Sequence, residues 1–301
     1  MNTLVVITGP TASGKTELSI QLAEILGCEI ISADSRQFYK GMTIGTAAPD
    51  DSDRAKVIHH FVGFLPVDSY YSASLFERDV IALLPSLFAR NSIVIMTGGS
   101  GMYIDAVSNG IDDIPDVAPE IRERYERKFR EEGLISLRRE LRIVDPVHYE
   151  RVDLRNPRRI MRALEIFATT GLPYSSFLSG RKQVRDFRIV KAGIMPDRSE
   201  LHTRINKRVD LMMAAGLEEE VKSLMQYKGL NALQTVGYRE LFDFFDGITT
   251  RAEAVELIKR NTRRYARRQI TWFNNDLSVK WFRPGMTNEV LEYIRTETQN
   301  D

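Results

Sequence analysis

Short apolar runs alternate with segments whose apolar residues recur every three or four positions over the first hundred residues. The runs at 3–8, 29–32 and 92–97 predict buried strands. The periodic segments at 14–26 and 73–89 predict amphipathic helices. Strands that alternate with helices in this way predict an α/β fold, in which a parallel sheet carries helices on both faces.

The pattern changes near Pro115. Residues 119–170 are helical in pattern and rich in arginine, with no segment typical of a strand. We therefore predict that residues 115–185 form a helical insertion, and that residues 1–114 and 186–301 form one α/β core. After the insertion the pattern predicts strands at 187–194 and 279–282 and helices at 198–226 and 250–273, so that the C-terminal region is mainly helical.

The composition is that of an ordinary globular protein, with 43% hydrophobic and 28% charged residues among 301. Lys and Arg number 42 against 41 Asp and Glu, which excludes a basic coat over the whole surface but allows a locally basic face. The single cysteine, Cys28, excludes an intramolecular disulfide framework and a cysteine-rich zinc site. The apolar runs are far shorter than the ~20 residues of a membrane span, and no signal peptide is visible, so we expect a cytoplasmic protein.

A phosphate-binding loop lies between the first predicted strand and the first predicted helix. The pattern G-x-x-x-x-G-K-[ST] is matched by Gly9, Pro10, Thr11, Ala12, Ser13, Gly14, Lys15 and Thr16. Its backbone N–H groups and the helix N-terminus favour a diphosphate or triphosphate, Lys15 adds a charge, and the Thr16 hydroxyl is a ligand for Mg²⁺. No Asn-Lys-x-Asp guanine signature is present, because Asn206-Lys207-Arg208-Val209 does not complete it. A P-loop core with transferase or kinase chemistry therefore fits better than a switch GTPase.

Asp34 follows the second predicted strand directly. Ligands of parallel α/β sheets collect at the carboxyl ends of the strands, so Asp34 is expected to face the same crevice as the phosphate loop. A carboxylate in that position can accept a proton from a nucleophile or hold a metal ion.

Arginine is concentrated in two segments. Arg155, Arg158, Arg159 and Arg162 are expected to share one helix face, and the second segment contains Lys259, Arg260, Arg263, Arg264, Arg267 and Arg268. Like charges at this spacing destabilise a helix unless an anion neutralises them. In a chain with a net charge of +1, such segregation is typical of a polyanion site.

An ordered set of motifs resembles the bacterial tRNA dimethylallyltransferases, also called tRNA isopentenyltransferases, over residues 4–283. Besides the phosphate loop, the set comprises 34–42, 44–47, 59–60, 98–103, 158–165, 201–205, 236–241 and 263–273. The resemblance implies transfer of a dimethylallyl group from dimethylallyl diphosphate to N6 of adenosine 37, next to the tRNA anticodon. It implies Mg²⁺ as cofactor and the tRNA anticodon stem-loop as partner. We expect a monomer that does not bind membranes.

The same resemblance implies roles for individual residues. Asp34 would be the general base, with Thr11 and Arg208 also catalytic, and the diphosphate would meet residues 9–16 together with Arg204 and Arg208. Contacts with tRNA are implied for Asp34, Ser35, Arg36, Gln37, Ser100, Arg122, Arg158, Arg159, Ile160, Met161, Arg162, Gln234, Thr235, Val236, Gly237, Tyr238 and Arg239.

Three other functions remain open at the level of sequence. A small-molecule kinase could use the phosphate loop for ATP and Asp34 to activate a substrate hydroxyl. A prenyltransferase could act on free adenine nucleotides. A non-catalytic RNA-binding protein would need neither Asp34 nor the loop. The arginine-rich segments favour a tRNA substrate over the first two.

Overall fold

The computed structural model describes residues 1–112, 114–180 and 183–299, and the chain divides into two compact units. The larger unit is formed by Met1–Asn109 and Val184–Asp301, and the smaller by Gly110–Gln183. Arg185, at the end of the expected insertion, belongs to the larger unit, where its guanidinium donates to the Glu77 carboxylate at 2.5 Å and to the Ala106 carbonyl at 3.0 Å.

A six-stranded sheet forms the centre of the larger unit. The strands are β1 (Thr3–Thr8), β2 (Ile30–Ser32), β3 (His59–His60), β4 (Ile93–Gly98), β5 (Arg188–Ile194) and β6 (Val279–Phe282). Their order is β3-β2-β4-β1-β5-β6, and every neighbouring pair is parallel. The chain thus has the predicted α/β fold with a P-loop NTPase-like core.

The helices are, in chain order, α1 (Lys15–Leu26), α2 (Asp51–Lys56), α3 (Ala73–Phe88), α4 (Gly101–Asn109), α5 (Pro119–Val144), α6 (Pro146–Tyr149), α7 (Pro157–Thr170), α8 (Arg198–Ala214), α9 (Leu217–Ser223), α10 (Tyr238–Phe245), α11 (Arg251–Phe273) and α12 (Thr287–Gln299). Helices α5, α6 and α7 belong to the smaller unit. Within the described residues, no helix combines the length and the apolar character needed to cross a bilayer.

Alternate residues of β1 enter two separate hydrophobic cores. Val5 and Ile7 pack on one side of the sheet with residues of α1 and α12, whereas Leu4 and Val6 pack on the other side with residues of α3, α4 and α8–α11. Every residue of β1 is buried because both faces of this central strand are covered. The strand therefore holds the phosphate loop, which follows it directly, on a rigid base.

The smaller unit is helical and has its own core. Tyr125, Leu137 and Leu141 of α5 pack against Ile160 and Leu164 of α7, and all five side chains are buried. Side chains cap the N-termini of its two shorter helices. Asp145 accepts from the His148 N–H at the start of α6, and Asn156 accepts from the Arg159 N–H at the start of α7.

The helical prediction for 198–226 is confirmed by two helices, α8 and α9, which are separated where Gly216 takes a left-handed φ of 98°. One prediction about a helix face is wrong. Arg155 does not share a helix face with Arg158, because α7 begins only at Pro157; Arg155 lies in the preceding turn, with its guanidinium 3.4 Å from Asp153. The pattern also missed the short or terminal helices α2, α4, α10 and α12.

Candidate active site

The phosphate loop has the backbone conformation that its glycines predict. Gly9, Ala12 and Gly14 have positive φ values of 147°, 64° and 93°. A Cβ on Gly9 would lie 2.4 Å from the carbonyl oxygen of Ile194 in β5, so this position admits only glycine. The loop then enters α1 at Lys15, which places its N–H groups at the N-terminal end of that helix.

Positive charge on two half-buried side chains dominates the space around this loop. Burial lowers the pKa of Lys15 to about 8, and its ammonium group has the Pro10 carbonyl at 3.4 Å. Burial also lowers the pKa of Arg208, whose guanidinium lies 3.4 Å from the Thr46 carbonyl. Asp34 is the carboxylate that interacts with both cations. The Ser13 hydroxyl of the same loop is buried without a hydrogen-bond partner among the described residues. Two half-buried cations beside one carboxylate, with an unsatisfied hydroxyl in the same loop, favour the binding of an anion.

Asp34 reaches this space because the ends of β2 and β4 approach closely. A Cβ on Gly98 would lie 2.3 Å from the carbonyl oxygen of Ala33, so the glycine permits the approach. The Ser35 N–H donates to the Ser100 hydroxyl at 3.0 Å, which ties the loop after Asp34 to the start of α4. Asp34 lines the same cavity as Thr11, Lys15 and Thr16, which confirms the prediction that Asp34 faces the same crevice as the phosphate loop.

Two residues of α11 complete the site, and the sequence reasoning gave neither a role. Gln269 is 5% exposed; its Oε1 accepts from the Thr11 N–H at 2.8 Å and its Nε2 donates to the Gly99 carbonyl at 2.9 Å. Tyr265 faces Asp34, and burial raises its pKa. A polar side chain on the otherwise apolar face of a helix was the signal that could have revealed Gln269.

Two adjoining cavities share Thr11, Asp34, Thr46, Arg208 and Tyr265. The first is polar and also contains Lys15, Thr16, Ser32, Gln37, Thr97 and Gln269. The second continues into an apolar wall formed by Val209, Met212, Leu217, Val236 and Ile258. The site thus joins an anion-binding end to a hydrophobic end, with Asp34 and Arg208 at the junction.

The other predicted residues of the larger unit lie in different positions. Arg36, Thr235, Val236 and Gly237 line the second cavity, and Gln37 lines the first. Arg204 lines neither cavity: its guanidinium lies near Gly14 and pairs with Glu200 at 2.7 Å. Gln234 is half-buried and Arg239 is exposed. Tyr238 is fully buried and donates its hydroxyl proton to Glu220 at 2.6 Å, so its side chain faces the protein interior.

The described residues contain no cluster of three His, Cys, Asp or Glu side chains that could hold a metal ion. The phosphate-loop motif predicts the Thr16 hydroxyl as a ligand for Mg²⁺, and this residue lies in the first turn of α1 beside Lys15. Mg²⁺ commonly keeps several waters and binds through few protein ligands plus substrate phosphates, so this donor set fits a magnesium–diphosphate complex.

Only some of the residues of α7 that are expected to contact tRNA lie at the surface. Arg158 and Arg159 are exposed, and Arg162 and Arg122 are half-buried. Ile160 is 0% and Met161 is 9% exposed, and both pack in the core of the smaller unit. The face available to a ligand is therefore the arginine face.

The second basic segment lies on α11 and borders a groove. Arg260, Arg263, Arg264 and Arg267 line it, together with Arg198 and His202 of α8. Lys259 differs from these arginines, because Asp210 at 2.8 Å and Glu256 at 3.2 Å neutralise it.

Comparison with known proteins gives one consistent assignment. Residues 37–276 match the IPP transferase family. The chain is 53% identical over 294 residues to tRNA dimethylallyltransferase 2 of Parabacteroides distasonis, with 98% of each chain covered. It is 49% identical over 297 residues to tRNA dimethylallyltransferase 1 of Bacteroides thetaiotaomicron, covering 99% of this chain and 96% of that one. The solved structure of full-length tRNA isopentenylpyrophosphate transferase from Bacillus halodurans is similar with a TM-score of 0.71 at 34% identity, covering 99% and 97% of the two chains. On these matches, together with the P-loop core and its anion site, the chain belongs to the IPP transferase family.

Proposed function

We propose that this protein transfers a dimethylallyl group from dimethylallyl diphosphate to N6 of adenosine 37 in tRNA. The observation that carries the proposal is the cavity pair, polar and cationic around Lys15 and apolar along Val209, Met212 and Val236. A prenyl diphosphate has the same two halves. A kinase for a small polar metabolite has no use for the apolar wall, so this geometry favours the prenyl donor.

The phosphate loop and the two cations, Lys15 and Arg208, would bind the diphosphate. Lys15 and Arg208 stabilise the charge that develops on the leaving group, and the Ser13 hydroxyl gains the partner that it lacks. Thr16, with the diphosphate oxygens and water, would hold Mg²⁺, which supplies further charge stabilisation when bound. The Gln269 amide keeps Thr11 in place beside this site.

Asp34 would act as the general base. N6 of the adenine attacks C1 of the dimethylallyl group, the N6–C1 bond forms, and the C1–O bond to the diphosphate breaks. The proton lost from N6 passes to the Asp34 carboxylate, and the diphosphate leaves with its charge held by Lys15 and Arg208. Asp34 suits this role because it lies at the junction of both cavities.

The tRNA would be held mainly through its phosphates. The exposed Arg158 and Arg159 of α7 and the basic groove along α11 are suited to the backbone of the anticodon stem-loop. Adenosine 37 must leave the anticodon stack to reach the half-buried Asp34 carboxylate, as bases do in other base-modifying enzymes. Arg36 and residues 235–237 line the cavity that would receive it. We further propose that the protein acts as a monomer in the cytoplasm, where its tRNA substrate is found.

Mass spectrometry of the product tests the proposal. Unmodified tRNA with A36-A37-A38 is incubated with the protein, dimethylallyl diphosphate and Mg²⁺, and is then digested and sequenced by mass. A five-carbon gain on A37 alone is the expected result. A gain on AMP or ADP but not on tRNA would instead indicate a free-nucleotide prenyltransferase. No gain on either, with phosphoryl transfer from ATP to a metabolite, would indicate a kinase.

A further inference from the structure

The Glu220 carboxylate of α9 accepts four hydrogen bonds, three from a distant loop and one from α10. Its Oε2 accepts from the N–H groups of Thr43 at 2.9 Å and Ile44 at 2.7 Å. Its Oε1 accepts from the Gly45 N–H at 2.9 Å and from the Tyr238 hydroxyl at 2.6 Å. Two carboxylate oxygens have about four lone-pair positions, so the acceptor capacity of Glu220 is fully used. A neutral amide could not replace it, because an NH₂ group cannot accept from backbone N–H donors.

Tyr238 and Gly45 are in close contact at this point. A Cβ on Gly45 would lie 2.6 Å from the Tyr238 ring, so glycine is required for the ring to pack there. The Tyr238 ring is fully buried, and its hydroxyl remains a proton donor because burial and the adjacent Glu220 raise its pKa. The loop, α9 and the start of α10 are therefore joined in one small assembly.

This assembly lies directly behind the apolar cavity. Gly45, Thr46, Leu217 and Gly237 all line the cavity, and each is in or next to a segment that Glu220 holds. The loop also extends to the catalytic end. The carbonyl of Thr46 accepts from the Arg208 guanidinium at 3.4 Å and from the Gln37 amide at 3.3 Å. A shift of the loop would change both the apolar wall and the position of Arg208.

We propose that Glu220 is a positioning residue that sets the depth of the prenyl pocket and the orientation of Arg208. This inference rests on the proposed function, since it names the residue that limits the length of the prenyl donor that the pocket accepts. Glu220 touches neither substrate in this assignment; it acts through the loop at 43–46. Through this loop, Glu220 favours a five-carbon allylic diphosphate over longer allylic diphosphates.

Two substitutions weaken the hydrogen bonds of Glu220 to different extents, and a third is the control. Glu220→Gln removes the charge and leaves one oxygen to accept, which releases part of the loop. Tyr238→Phe removes one of the four hydrogen bonds and keeps the buried ring. Glu219→Gln changes the exposed neighbour on the same short helix by the same chemical step.

The test measures kcat/KM for transfer to tRNA from dimethylallyl diphosphate and from geranyl diphosphate, which is five carbons longer. We expect Glu220→Gln to lower kcat/KM for the short donor by about tenfold and to lower the short-to-long ratio by a similar factor. Tyr238→Phe should move the ratio in the same direction by less, and Glu219→Gln should match the wild type. A general loss of folded protein lowers the measured kcat/KM equally for both donors and leaves their ratio unchanged. An unchanged ratio in both Glu220→Gln and Tyr238→Phe would therefore overturn the inference.

A binding measurement separates this inference from the proposed function. If the wild type prenylates no tRNA, the proposed function fails, and calorimetry with inorganic diphosphate then tests the positioning of Arg208 alone. We expect Glu220→Gln to bind diphosphate several-fold more weakly than the wild type and Glu219→Gln. Equal affinity in all three proteins would overturn the positioning role. If Glu220→Gln does not fold, Tyr238→Phe is used for both measurements.

Discussion

The binding of the prenyl diphosphate is expected to weaken as pH rises through about 8, because burial lowers the pKa of Lys15 to about 8. The protonated ammonium group attracts the diphosphate and the neutral amine does not, so affinity is greatest below this pKa and is lost above it. Binding of the anion in turn favours the protonated form. The pH dependence is therefore expected in kcat/KM, which reports the free enzyme, and it moves to higher pH in kcat.

The size of the effect follows from the titration of one group. If only the protonated form binds, the apparent dissociation constant scales as 1 + 10^(pH − pKa), which gives about a tenfold weakening between pH 7 and pH 9 for a pKa of about 8. Calorimetry with dimethylallyl diphosphate in the absence of tRNA measures binding without turnover. Lys15→Arg is the matched control, because its guanidinium stays charged over this range and its affinity should not depend on pH. Constant affinity in the wild type from pH 7 to 9, or an equal slope in Lys15→Arg, would refute the reasoning.

Three further substitutions test separate parts of the site. Asp34→Asn should lower kcat by about 100-fold or more while tRNA affinity stays within about twofold, since it removes the base and keeps the shape; an equal loss of binding would refute the base assignment. Gln269→Leu should lower the free energy of unfolding by about 2–4 kcal/mol, because the buried N–H of Thr11 and carbonyl of Gly99 each lose a partner; a urea titration showing less than about 0.5 kcal/mol would contradict this. Arg158→Ala should weaken tRNA binding and reduce the slope of log affinity against log salt by about 0.7–0.9, whereas the exposed Arg142→Ala on α5 should leave the slope unchanged.

The sequence predicted the parts of the site that are continuous along the chain. β1, the phosphate loop and α1 form one uninterrupted run, so the glycine spacing and the apolar pattern specify their geometry locally. Asp34 could be placed because a residue that ends a parallel strand must lie at the same sheet edge as the loop after β1. The spacing rule failed at Arg155, because a cap at Asn156 and a proline at 157 start the helix later than the arginine pattern suggests.

The groups that close the site come from distant parts of the chain, and no local pattern specifies them. Gln269 meets Thr11 across 258 positions and Glu220 meets Thr43 across 177, so each contact depends on how helices pack on the sheet. Packing also decides which residues of one motif are buried. In the motif at 158–165 on α7, Arg158 is exposed, whereas Ile160 lies in the core. The sequence by itself determined the fold class, the phosphate loop and the position of Asp34, because short-range sterics and hydrophobic periodicity are encoded residue by residue. Only the tertiary structure decided that Lys15, Arg208 and the Gln269 amide surround Asp34, because these groups come together only after long-range packing has removed water from between the elements.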